Sequence, residues 1–200
     1  MVLMLRSGLL IVLILAIAPL CLSQIAIPEG GPRPWDFGIW VAGATGKELT
    51  GSFAEAQIVS AGFGVEKAIT DELGNGWRRG RFAFGGNVIP VFIQLGPGGP
   101  HGVAVEPVIL RWNSSWHSSK WSPYIELAGG GVFTNANIPA GDTSDVNFTA
   151  RIGGGIQIHA GKREALDLSC RWLHISNANL GRKNPQFNGI QLSIGYHWHR

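Results

Sequence analysis

Leu192-Ser193-Ile194-Gly195-Tyr196-His197-Trp198, close to the C-terminus, places an apolar side chain at every second position and Ser, Gly or His between them. A period of two is the pattern of a β-strand, whose successive side chains leave opposite faces of a sheet. One face of this strand is therefore apolar, with its aromatics gathered toward the chain end. Membrane-spanning barrels carry aromatics at the bilayer interface and many close on an alternating strand, although here the last residue is Arg200.

The preceding stretch repeats the pattern and then breaks it. Leu166, Leu168, Cys170 and Trp172 alternate, and the same count continued puts His174 and Ser176 on that apolar face. In a soluble protein this face would be core, a poor place for an imidazole beside a hydroxyl. If the face touches lipid, the pair sits at the edge of the apolar belt.

No segment after the N-terminal run sustains a 3.6-residue apolar period, and the 29 glycines disfavour helices while suiting a tightly curved sheet. The expected fold class is all-β. Eight strands are predicted, at Trp35–Thr45, Ala54–Ala68, Arg79–Gln94, Val103–Trp112, Pro123–Thr134, Val146–His159, Ala165–Ser176 and Gly189–Trp198. An even count permits an eight-stranded antiparallel up-and-down transmembrane β-barrel. Compact turns at Asp71–Gly76 and Ala160–Arg163 alternate with longer connections at Gly46–Phe53, Thr134–Asp145 and Asn177–Asn188. Short periplasmic turns and long outer loops give that asymmetry, with both termini inside, so the seventh strand delivers His174 and Ser176 to the outer-leaflet end. A soluble secreted barrel binding an apolar ligand is the alternative that alternation alone leaves open.

Met1 to Ser23 carries one basic residue, Arg6, then the apolar run Leu9 to Leu20 and the small residues Cys21 and Ser23. This is the layout of a cleaved secretory signal peptide, residues 1–23, leaving 24–200 as a single barrel domain. Leu20 before Cys21 fits lipoprotein processing badly. After cleavage Cys170 is the one cysteine left, so no intramolecular disulfide staples the product. The formal charge of +3 includes Arg6, and the about +2 that remains is too small and dispersed for a nucleic-acid footprint.

Histidine and serine two apart on a strand point the same way, with Cβ atoms about 6–7 Å apart, so an imidazole nitrogen reaches the hydroxyl. That is a base beside a nucleophile, and Asn177 adds an amide and a backbone N–H where an oxyanion would form. An interface histidine bonded to a neighbouring hydroxyl accounts for the same two residues without chemistry.

The longer run Arg171-Trp172-Leu173-His174-Ile175-Ser176-Asn177-Ala178-Asn179-Leu180, followed by Asn184-Pro185, Asn188-Gly189 and the alternating last strand, resembles the lipid A 3-O-deacylase (PagL-like) family. The resemblance is specific over about the last 30 residues. It implies a bacterial outer-membrane barrel with a Ser-His-Glu site on its lipid-facing wall that cleaves the ester-linked acyl chain at the 3 position of lipid A in lipopolysaccharide. It implies Ser176 as nucleophile, His174 as general base and then acid, and Asn177 at the oxyanion. No cofactor or metal is implied, and a homodimer is left open. The rival is a non-catalytic barrel that kept the His-Ser motif.

The chain departs from the family at the acid. The family glutamate lies early in the last strand, on or near Gln191 here, and no acidic residue occurs from Ala178 to Arg200. A glutamine oxygen in that place orients the ring without balancing its charge, and an amide for a carboxylate cost about 10⁴ in kcat in a serine protease. Asp167 is about 23 Å down the same strand and Glu164 farther, while Glu126, between Ile125 and Leu127, faces the lumen. Asp142 and Asp145 in a long outer loop are the replacement candidates. Parity raises a further conflict: with Leu192, Ile194 and Tyr196 facing lipid, Gln191 turns inward unless a bulge intervenes.

Weaker signals have plainer readings. His197 and His199 alternate like a metal pair but lack a third ligand. Gly129–Gly131 and Gly153–Gly155 lie inside strands with no following helix, which points to close packing and not to a phosphate loop. Trp112, Trp116 and Trp121 fit a periplasmic aromatic girdle.

Overall fold

The computed structural model describes residues 35–46, 56–96, 99–115, 120–138, 143–160 and 163–200. The expected signal peptide, Trp116 and Asp142 lie outside the described residues. The strands are β1 (Trp35–Gly46), β2 (Gln57–Ala68), β3 (Gly80–Gln94), β4 (His101–Ser114), β5 (Trp121–Ile138), β6 (Ser144–His159), β7 (Glu164–Ser176) and β8 (Phe187–His199). Each pairs antiparallel with its neighbour in the chain, and β1 pairs with β8 to close the barrel. At the seam Trp35 N–H donates to Arg200 O at 2.7 Å and Arg200 N–H donates back at 2.8 Å. Closure leaves no exposed strand edge.

Alternation runs along the strands except where β3 and β4 shift register at Pro90 and Pro107, and its sense identifies the solvent. Outward residues are large and apolar, with Ile125 64% and Leu192 61% exposed. Inward residues include Glu66, Glu106, Arg111, Glu126, Arg151, Asp167 and Arg171, all buried. A soluble ligand-binding barrel would reverse this arrangement, whereas a wall of exposed Ile, Leu, Val and Phe around a polar interior is stable only against lipid. The aromatics meet at the terminal end, where Trp35, Phe37 and Trp198 stack in sequence with centroids 6.4 and 6.0 Å apart. Phe82 packs edge-on to Trp112 at 4.7 Å, as expected of an interfacial girdle.

The interior has two parts. Toward the terminal end it is ionic: Glu126 accepts from Arg111 at 2.8 Å and from Arg171, Arg111 also bonds Glu66 at 2.9 Å, and Arg151 pairs with Glu106. His197 lies 2.9 Å from Asp36 in the same network, which accounts for it without a metal. Buried charges persist only when paired in this way. A cavity of about 20 Å³ among Glu66, Arg111, Glu126, Arg171 and His197 is the size of one water, so this part of the lumen is packed and forms no channel. Gly155 serves that packing, since a Cβ there would lie 2.6 Å from the Tyr124 hydroxyl. At the opposite end Ile58, Ile89, Phe92, Val132, Leu173, Ile175 and Phe187 form an apolar core inside the barrel.

Register irregularities fall where the sequence disrupts the ladder. Those at Ile89/Phe92 and Val105/Val108 bracket Pro90 and Pro107, which have no N–H to donate. The β6–β7 and β7–β8 pairings have none. The expected contrast of short and long connections is weaker than the sequence suggested. The terminal-end connection 69–79 is long and contains a 3-10 turn at Gly76–Arg78, while β5 and β6 extend to Ile138 and Ser144 and consume most of the expected outer loop. Thr134 Oγ1 donates to Ala136 O at 2.8 Å and to Asp145 O at 3.1 Å, so a side chain stitches the strand extension where backbone register shifts.

Candidate active site

Because β7 has no bulge, the outward count from Leu166 runs uninterrupted to His174 and Ser176, and both lie half-buried on the lipid-facing side. His174 Nε2 and Ser176 Oγ are 3.1 Å apart. Across the ladder His174 is paired with Asn188 of β8, and His174 Nδ1 lies 2.9 Å from Asn188 Oδ1. A carbonyl oxygen only accepts, so Nδ1 carries the ring proton. Nε2 is left as an acceptor for the serine hydroxyl, the state a general base requires. Trp172, the next outward residue below, stacks on the imidazole with centroids 5.5 Å apart and planes at 22°.

Gln191, expected from the sequence in the acid position, is elsewhere. It is 3% exposed, faces the lumen and accepts from Arg151 Nη1 at 3.1 Å. The parity conflict is resolved against it, since no bulge turns it outward. Asn188 is the residue sequence reasoning missed, and the signal was available. Counting back by twos from Leu192 gives Ile190 and then Asn188, a polar residue on the outward face at the level of His174. Both ring nitrogens are engaged by Ser176 and Asn188, so among the described residues no carboxylate sits on the ring. Asp145 lies exposed at the start of β6, Glu126 faces the lumen as expected, and Asp167, far down the strand, is also buried there and accepts from Tyr124.

Asn177 is buried in the loop after β7. Its backbone N–H donates to Asn184 Oδ1 at 2.9 Å, its Nδ2 donates to Lys183 O at 2.8 Å, and its Oδ1 accepts from Asn179 N–H at 2.9 Å. The backbone N–H expected from the sequence to face an oxyanion thus goes to Asn184, while one N–H of the side-chain amide is not taken by these bonds. Asn177 thus braces a chain reversal in which Ala178 and Asn179 both have positive φ, 50° and 66°. Such backbone is strained for residues with a side chain, and it persists here because Asn177 ties both flanks. Gly181 lets this loop approach the β5–β6 connection, since a Cβ there would lie 2.6 Å from Thr143 O. Under the pair, Leu173, Ile175 and Phe187 fill the lumen and hold the backbone that presents it.

The lipid A 3-O-deacylase (PagL) family profile matches residues 70–197, which include every residue of this cluster. No curated protein sequence matches the chain. Among solved structures, the outer membrane enzyme PagL superposes with a TM-score of 0.56 at 17% identity, over 80% of this chain and 97% of the other. Neisserial surface protein A superposes with a TM-score of 0.56 at 14% identity, over 83% and 96%. These likenesses are of fold, whereas the profile match spans well over half the sequence. The chain belongs to the lipid A 3-O-deacylase (PagL) family and is an eight-stranded β-barrel of the bacterial outer membrane.

Proposed function

We propose that the protein is an ester hydrolase that removes the 3-O-linked acyl chain from lipid A in the outer leaflet, with Ser176 as nucleophile and His174 as general base and acid. The observation that carries this is the 3.1 Å contact between His174 Nε2 and Ser176 Oγ on the wall that faces lipid. A bulky amphiphile then reaches the hydroxyl by lateral diffusion, without leaving the bilayer.

Ser176 Oγ attacks the ester carbonyl carbon as its proton passes to Nε2. We assign the charge that develops on the carbonyl oxygen to the side-chain amide of Asn177, the residue next to Ser176, which keeps one N–H beyond its bond to Lys183. Collapse breaks the bond to the sugar oxygen, which receives the proton from Nε2, and the acyl group remains on Ser176. Water, deprotonated by the same nitrogen, releases the fatty acid and restores the serine. None of these steps needs a metal or an organic cofactor.

The test is purified barrel with lipopolysaccharide, reading released 3-hydroxy fatty acid by mass spectrometry. Wild type is expected to release it and Ser176→Ala to lose at least about 10³-fold in rate. Equal release by both proteins, or none by wild type, overturns the proposal. Silence of the wild type would leave a non-catalytic barrel, a role that the amide at position 188 favours.

A further inference from the structure

We propose that His174 is served by two neutral positioning residues in place of an acid: Asn188 fixes the ring tautomer, and the indole face of Trp172 stabilises the imidazolium formed during reaction. This rests on the assignment of Ser176 and His174 above.

A carboxylate behind a catalytic histidine does two things. It holds the proton on the far nitrogen, and it balances the positive charge when the ring takes a second proton. Asn188 performs the first. It is 5% exposed, directly opposite His174 in an unshifted register, with Oδ1 at 2.9 Å from Nδ1. Being neutral, it cannot perform the second.

Charge balance is not available from the nearby ions either. The carboxylates Glu126 and Glu106 lie on the inner face and are committed to Arg171 and Arg151. Trp172 is placed for the task. Its ring stacks on the imidazole at 5.5 Å, within the roughly 6 Å over which an aromatic face attracts a cation, and tryptophan is the strongest such face. Its side chain lies on the lipid-facing wall, where exclusion of water strengthens the attraction. The same stacking limits ring rotation, so the indole and the amide hold the imidazole from two directions.

The experiment is a double-mutant cycle read as kcat and KM on lipopolysaccharide, with closed-barrel content checked for each variant by gel mobility without heating. Asn188→Asp, nearly isosteric, is expected to raise kcat by about tenfold or more with KM little changed, since it restores the charge. Trp172→Leu is expected to lower kcat about tenfold in the wild-type background but no more than about twofold when combined with Asn188→Asp, because the carboxylate then does the work of the indole. Trp172→Phe keeps most of the rate. An equal loss on Trp172→Leu in both backgrounds, or no gain from Asn188→Asp, overturns the inference. Trp172 faces lipid, so its variants fold even if position 188 tolerates little change. The two levels fail separately. Undiminished release by Ser176→Ala defeats the hydrolase assignment itself, whereas a dead Ser176→Ala with a fully active Trp172→Leu defeats the neutral pair alone.

Discussion

The lower length of β7 and its upper end are opposites on both faces. From Leu166 to Trp172 the outside is apolar and the inside, at Asp167, Ser169 and Arg171, is polar and ion-paired. Above that level the inside becomes apolar at Leu173 and Ile175, while the outside becomes polar at His174 and Ser176. The exchange at a single level of one strand separates two duties. Ion pairs tie the strands across the ionic lumen, and the apolar plug supplies a close-packed bed under His174 and Ser176. A base seated over a network of arginines and carboxylates would feel their field, whereas one seated over Ile175 and Phe187 is governed by the partners it touches.

This division can be broken from either side. Glu126→Ala strands Arg111 and Arg171 without their shared partner and should cost about 3–5 kcal/mol. Unfolding by urea in lipid should record that loss, while kcat of the folded fraction stays within about twofold of wild type because the network is remote from the pair. Asn177→Ala should cost less stability, about 1–3 kcal/mol, because it removes the side-chain bonds to Lys183 and Asn179 while the backbone bond to Asn184 survives. It should nevertheless reduce turnover far more, about 10²-fold, since both the loop and an oxyanion donor go with it. Ile175→Val sharpens the comparison at its smallest scale. About 1 kcal/mol of stability should accompany a few-fold drop in kcat, because the methyl removed lies in the bed between His174 and Ser176. A Glu126 variant that loses turnover in step with stability, or an Ile175 variant that leaves kcat untouched, would mean the two duties are not separate.

Much of this was legible before any coordinates. Strand number, strand limits to within a few residues and the outward aim of His174 and Ser176 all follow from a period of two, which is local and survives as long as the ladder has no bulge. The acid position was not. A resemblance aligned along the chain pointed to Gln191, but the partner of an imidazole on β7 is chosen across the ladder by register, which no local pattern reports. Parity already turned Gln191 inward, and extending the same count to Asn188 would have supplied the replacement. The length of the β5–β6 hairpin was underestimated for a related reason. Its extension beyond Thr134 is braced by the Thr134 hydroxyl, which reaches Ala136 O on its own strand and Asp145 O on the opposite one, and the sequence of residues 134–145 reads as a plain loop without those bonds.

The seam between β1 and β8 bears on when this protein can act during its own biogenesis. Asn188 belongs to the final strand, which pairs with β7 on one edge and with β1 on the other, so closure at the seam locks in place the residue that faces His174. A chain halted partway, with seven strands inserted and the cylinder open, has the serine, the histidine and the indole of Trp172 but not the amide that sets the ring's tautomer. On the proposed mechanism, a precursor whose eighth strand is not yet in place therefore lacks an oriented base.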